Sequence, residues 1–275
     1  MTSFHTGTNK KTSFDSNPGF KEIEQYISYY KRLEWRSSDF LSPNIVPIIN
    51  VDKYFYSSIA NMLDTIKYAL SQGRANDAWT LLRKYHDIII TNIVYDLELE
   101  ESKFNFFEEP TSTQNWFLKN SKGKRFCYTK YIKKIADNQR TSGIYQLTYD
   151  QKIHDGIRDR SNNNAHINYF YNLLRNDPEL SFNGEGKWLN RFFVDLKELF
   201  VHHICLTFIL HEVYMLADDY TDYLDCDMTP PPGSEKWPDM QFQDILHTII
   251  EPYNPEAAIY LKQHSILDLN KTYDE

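Results

Sequence analysis

The chain has 275 residues, 41% of them apolar, which excludes a disordered polymer and a mini-domain that needs disulfides to hold its core. Only 9 residues are glycine, where about 7% is usual, and this argues against turn-rich all-β folds and glycine-rich phosphate loops. Lysine and arginine number 30 against 38 acids, a net charge of −8, so the chain is no general nucleic-acid coat and any anionic ligand must meet a local basic patch.

The three cysteines, Cys127, Cys205 and Cys226, form no CxxC pair, and a reduced cytoplasmic setting fits them. Met1 to Gly19 is polar, without the apolar core of a secretory signal. No stretch reaches about 18 uninterrupted apolar residues, so no membrane-spanning helix and no membrane partner are expected. The most apolar run, Leu199–Leu216, is broken by His202, His203, His211 and Glu212.

Residues 1–18 are rich in Ser, Thr, Asn and Lys and read as a flexible tail. A first helix is expected from Phe20 to about Trp35, with Ile23, Tyr26, Ile27 and Tyr30 as its apolar stripe. Pro43 and Pro47 mark an extended connector. A helix over about 52–71 follows, carried by Tyr56, Ile59, Met62, Leu63, Ile66 and Ala69/Leu70, with Gly73 as its stop. A second runs from about 76 to 99 through Trp79, Leu82, Tyr85/His86, Ile89, Ile90, Ile93 and Leu97. The short turn between them makes the two antiparallel neighbours.

A mixed stretch, 100–118, ends its acidic part at Pro110. A helix near Tyr128–Ala136 is expected next, then one over 151–160 capped by Thr148 or Asp150. Ser161-Asn-Asn-Asn-Ala165 reads as a turn, opening a helix over His166–Arg175. The longest helix is expected from Trp188 to about Ala217, with Leu189, Phe192, Phe193, Leu196, Leu199, Phe200, Ile204, Phe208 and Met215 on its apolar face. Pro230-Pro231-Pro232-Gly233 ends the bundle, and two short helices, about 239–250 and 255–263, close the chain. The expected fold is all-α, an up-and-down helical bundle forming one domain over 19–275.

Four features stand out. Between Lys119 and Arg140 lie eight cations against the single acid Asp137: Lys119, Lys122, Lys124, Arg125, Lys130, Lys133, Lys134 and Arg140. Phe126, Tyr128 and Tyr131 interleave them, a pattern that suits phosphates and stacked bases. The plain alternative is a solvated face paired with acids such as Glu108 and Glu109. The second feature is Arg158-Asp-Arg160-Ser-Asn-Asn-Asn-Ala-His166. Either arginine can clamp a phosphate in two-pronged fashion, an imidazole moves protons near neutral pH, and a helix start would add backbone N–H groups for an anion. The alternative is an ordinary capped turn with His166 packed in the core.

The third is Asp218-Asp219-Tyr-Thr-Asp222, with Asp225 and Asp227 following, a DDxxD string read at the end of the long helix. Such strings hold magnesium diphosphate in isoprenoid synthases, but no second metal-binding motif accompanies this one, and a solvated acidic terminus explains it. The fourth is His202, His203 and His211 on the long helix, which make no zinc site alone and read as core or interface histidines.

The segment Arg160-Ser161-Asn162-Asn163-Asn164-Ala165-His166 resembles the Arg-x4-6-His motif of the HEPN superfamily, with a polar residue directly after the arginine. The paired-helix stretch from Ser71 to Tyr85, the long apolar helix after the motif, and Ala217-Asp-Asp-Tyr-Thr-Asp-Tyr-Leu-Asp before the prolines are similar to uncharacterised bacterial members. The resemblance covers about residues 50–220, with helical extensions at both ends. It implies a metal-independent RNA endonuclease without cofactors, in a defence or toxin–antitoxin setting, acting as a homodimer with an antitoxin or other protein partner. On this reading Arg160 contacts the scissile phosphate and His166 assists proton transfer, with the RNA 2′-hydroxyl as nucleophile. Asn162 and Asn164 orient, Arg158 is the alternative clamp, and Lys122, Lys124, Arg125, Lys130, Lys133 and Lys134 form an RNA path. Many superfamily members are inactive, so the competing expectation is a non-catalytic helical interaction or dimerisation module.

Overall fold

The computed structural model of the chain describes residues 16–39, 51–101, 126–166, 168–177 and 187–270. The tail before residue 16, the Pro43–Pro47 connector, the acidic stretch ending at Pro110 and the cations Lys119, Lys122, Lys124 and Arg125 lie outside them. Among the described residues every named element is helical, and the only strand-like pairing is an isolated bridge between Leu216 and Pro238. No described helix is long and apolar enough to cross a membrane. The chain divides into two compact units, residues 1–92 with 150–200, and residues 93–149 with 201–275.

The first unit opens with α1 (Pro18–Asp39), α2 (Val51–Ser71) and α3 (Ala75–Glu101), the last of which runs on past the unit's limit. The expected stripe of α1 is buried at Ile23, Tyr26, Ile27 and Tyr30 and continues to Leu33. It packs along α2, whose whole predicted set from Tyr56 to Leu70 is buried. Each Leu, Ile or Met side chain so removed from water stabilises the fold by about 1.5–3 kcal/mol. Tyr30 and Tyr85 hydroxyls meet at 2.9 Å, and Tyr26 stacks on Phe200 with ring centres 3.9 Å apart. Gly73 ends α2 in the left-handed region, φ +69°, where its own N–H reaches the Leu70 carbonyl and the next N–H, of Arg74, reaches that of Ala69. The Asn92 amide donates to Asp52 Oδ1 at 2.9 Å, late α3 to early α2, as an antiparallel hairpin requires.

α4 (Tyr128–Asp137) and α5 (Ser142–Thr148) precede α6 (Gln151–Ala165), α7 (Phe170–Leu174) and α8 (Lys187–Leu210). Asp150 caps α6 by accepting the Ile153 N–H at 3.0 Å. The Asn-rich run is not a turn: Ser161 to Ala165 is the last turn of α6, and α7 is five residues long in place of a helix over 166–175. Tertiary hydrogen bonds override the weak helix propensity of the three asparagines, as Arg83 Nε gives one to Asn162 Oδ1 at 2.9 Å. The predicted core face of α8 is buried throughout.

In the second unit α8 stops at Leu210, short of Ala217, because His211 leaves helical geometry at φ −134°. A short 3-10 turn, Glu212–Met215, follows, and the Glu212 carboxylate accepts the Ile266 and Leu267 N–H groups and the Ser265 hydroxyl. Those tertiary bonds reward leaving the helix. Arg140 donates to the Ile209 and Leu210 carbonyls at 2.8 and 3.1 Å, capping the end of α8. Asp218 and Asp219 open a separate helix, α9 (Asp218–Asp225), rather than closing the long one. Acids in a first turn complement the helix dipole, so the electrostatic misfit of a C-terminal placement disappears. The final helices, Met240–Ile245 through a π-helical stretch to Tyr253, and Pro255–His264, pack with Phe208 stacked on Phe242 at 4.9 Å. Asn254 joins them to α5: it accepts the Ala257 N–H and donates to the Leu147 carbonyl at 2.8 Å.

Candidate functional site

Helix α6 carries two polar faces. Along one, His154, Arg158 and Asn162 recur every four residues and meet α3: His154 Nδ1 lies 3.2 Å from His86 Nε2, Arg158 bonds Asp87 at 3.0 Å, and Asn162 accepts from Arg83. Asp87 also pairs with Arg83. Arg158, the alternative clamp, is thus committed to a carboxylate on the neighbouring helix. His154 and His86 are fully buried, and His154 Nε2 lies 3.3 Å from Glu198 Oε1 of α8.

Arg160 turns the other way, to α8. Its Nε and Nη2 donate to Asp195 Oδ2 and Oδ1, both at 2.8 Å, and Arg191 reaches the same carboxylate at 2.9 Å. Two cations therefore share one anion. The Asp195 side chain is fully buried, and burial pushes its carboxyl above the usual range while the bonds from Arg160 and Arg191 pull it back. Asn164 is buried and donates to the Arg160 carbonyl at 2.8 Å, so it orders the helix backbone under the arginine.

Arg160 opens onto a cleft of about 490 Å³, in the range of small-molecule sites. Arg175 and Arg191 join it, with Asn163, Asn164 and Asn172 as amides and Trp79, Tyr169, Tyr171 and Trp188 as rings. Among the described residues lining it none is acidic. His166 is not one of them: it is exposed, the residue that ends α6, its N–H bonded to the Asn162 carbonyl at 3.0 Å. The anion site expected from a helix start is absent here, because this is the carbonyl end of α6, whose partial negative charge attracts cations.

In the basic window, Lys130, Lys133 and Lys134 lie on α4 in the second unit. Lys130 and Lys133 are exposed, whereas Lys134 pairs with Glu101 at 2.8 Å and Glu98 at 3.5 Å, and Arg140 pairs with Glu100. The acids that answer these two cations come from the end of α3. Of the three histidines expected on the long helix, His202 and His203 are fully buried on α8, with His202 Nδ1 2.9 Å from the Thr148 hydroxyl, whereas His211 lies just past its end. Burial drives His203 down to about 3, so it is neutral at pH 7. His211 Nε2 lies 3.1 Å from Asp96, and its ring stacks on Tyr214. Asp219, Asp222 and Asp225 are exposed on α9.

Asp195, Arg191, Arg175 and the ring residues were not singled out in the sequence, although a signal for Asp195 exists. It stands three residues after Phe192 and four before Leu199, a charge set into the apolar stripe of α8. No family model, curated protein or solved structure matches the chain.

Proposed function

We propose that the chain is a metal-independent RNA endonuclease of the HEPN type, acting through Arg160 and His166. The observation that carries the reading is the setting of Arg160. Asp195 takes Nε and Nη2, so the guanidinium is fixed at the edge of an open cleft while Nη1 stays outside that pair. A guanidinium fixed along one edge offers its remaining donors to a phosphate without losing rotamer freedom on binding. The imidazole of His166, exposed at the end of the same helix, is accessible to a substrate.

In the reaction the RNA 2′-hydroxyl attacks the adjacent phosphorus. The P–O5′ bond breaks, and the products are a 2′,3′-cyclic phosphate and a 5′-hydroxyl. Arg160 neutralises charge gathering on the phosphoryl oxygens. His166 transfers a proton, and a homodimer supplies one imidazole to accept the 2′-hydroxyl proton and another to protonate the leaving oxygen. On this reading the exposed Lys130 and Lys133 of the second unit are RNA-binding cations, and the setting is toxin–antitoxin or defence, with a protein partner restraining the activity.

The test is cleavage of single-stranded RNA by the purified full chain in EDTA, with analysis of the new ends. Cyclic phosphate ends are expected, and His166→Ala is expected to lower the rate at least about 100-fold with unchanged circular dichroism. Undiminished cutting by that variant removes His166 from the mechanism. A specific observation favours a second reading, a non-catalytic helical interaction module: His166 does not line the Arg160 cleft. That reading predicts no cleavage in any buffer.

A further inference from the structure

We infer that the cleft beside α6, α7 and α8 is a pocket for a nucleoside phosphate, with one base stacked on its rings and the phosphate lying against its guanidiniums. The inference shares Arg160 with the cleavage reading but rests on none of its chemistry: it requires neither His166 nor proton transfer.

Three observations meet here. The first is the rings. Tyr169 and Tyr171 are 62% and 65% exposed, and Trp188 completes the wall with them. Exposed aromatic rings clustered on one short segment mark a binding face. Tyr171 is already oriented, because the Arg175 guanidinium lies 5.0 Å over its ring. The second is charge. Arg160 and Arg191 share one carboxylate, Asp195, which leaves a surplus positive charge at the cleft wall, and Arg175 stands on the same wall. Guanidiniums placed beside rings suit a phosphate attached to a flat aromatic group.

The third is the amides. Asn172 Nδ2 donates to the Asn163 carbonyl at 2.7 Å, and Asn163 Oδ1 accepts from Asn168 at 3.0 Å. Those bonds hold both side chains in place and leave Asn163 Nδ2 and Asn172 Oδ1 outside them, one donor and one acceptor. Both residues line the cleft, and an amide donor and an amide acceptor on its wall suit the polar edge of a nucleobase. A phosphate alone would need no rings, and a peptide aromatic would need no paired amide groups. The same unit of ligand can arrive as a free nucleotide or within a single-stranded chain.

Calorimetry and tryptophan fluorescence on the full-length chain test this, with AMP, adenosine, ribose 5-phosphate, phosphotyrosine and an eight-residue oligodeoxyadenylate, which lacks the 2′-hydroxyl needed for cleavage. AMP is expected to bind at least about tenfold more tightly than adenosine, ribose 5-phosphate or phosphotyrosine. Tyr171→Ala and Arg191→Gln, both at exposed side chains, are each expected to weaken it by about tenfold while circular dichroism is unchanged. An oligonucleotide much tighter than AMP identifies a polymer as the source, and equal affinities identify a free nucleotide. Absence of binding by AMP and oligonucleotide up to about 1 mM, binding untouched by both variants, or phosphotyrosine matching AMP overturns the pocket. The two proposals fail separately. Binding without cleavage in EDTA leaves the pocket and removes the enzyme, whereas His166-dependent cleavage with binding blind to Tyr171 and Arg191 does the reverse.

Discussion

Arg160 and Asp195 are joined by two parallel hydrogen bonds of 2.8 Å, from the residue before the last turn of α6 to the apolar face of α8. The Asp195 side chain is inaccessible to solvent and the Arg160 side chain is 33% exposed, so the pair spans the boundary between core and cleft. Asp195→Asn removes the charge that both Arg160 and Arg191 face. The expected cost is about 2 kcal/mol in urea unfolding, below the roughly 3–5 kcal/mol of a fully buried pair because water still reaches both arginines. A variant as stable as the wild type would show that the pair positions Arg160 without holding the fold.

His203 makes stability fall in acid. Its folded value lies near 3 and the unfolded value near 6.5, so between those limits the unfolded chain binds the extra proton and unfolding is favoured as pH drops. The full contribution is present above about 6.5 and declines below it. His203→Gln is expected to reduce the stability difference between pH 7 and pH 4.5 by about 2–3 kcal/mol. Asp195 acts in the opposite sense over the carboxylate range, since its raised value makes the folded state the better proton binder, so the comparison is of variant with wild type.

The two ends of α6 respond differently to alanine. Asp150→Ala loses the bond to the Ile153 N–H and is expected to cost about 1 kcal/mol. His166→Ala, at an exposed position, is expected to change stability by less than about 0.5 kcal/mol. Thermal unfolding of both variants checks the contrast.

Gly19 is required by a close approach. A Cβ at this position would overlap the ring of Phe193, which is buried and set edge-on to Phe20 at 5.3 Å. Gly19→Ala is expected to destabilise by about 1–2 kcal/mol despite the better helix propensity of alanine. A stabilised variant in chemical denaturation would mean that the ring moves aside at no cost.

The helices that bury a continuous stripe were legible in the sequence: α1, α2, α3 and the core of α8 carry apolar residues at three- and four-residue spacing, and each is buried as expected. The Gly73 stop was legible for the same local reason, and of the two cap candidates, Thr148 and Asp150, it is Asp150 that caps α6 while Thr148 ends α5. What failed were boundaries decided at a distance. Local propensity makes a turn of Ser161–Ala165, yet Arg83 on α3 and Asn172 on α7 bond the asparagines into a helix. His211 looks helical until the Glu212 carboxylate is claimed by residues 265–267. At the candidate site, Arg160 and His166 stood out by spacing, while the carboxylate that fixes Arg160 is 35 residues away and the rings beside it follow no motif.

The last turn of α6 has an implication for the order of folding. Three successive asparagines are poor helix formers, so this turn has little tendency to form in the isolated segment. Its bonds run to Arg83, Asn168, Asn172 and Arg175, and it acquires them only once α3 and α7 have arrived. It is therefore a late-forming piece, and in native-state hydrogen exchange the amides of Asn163 to His166 should open well before those of Ile153 to Ile157 in the same helix.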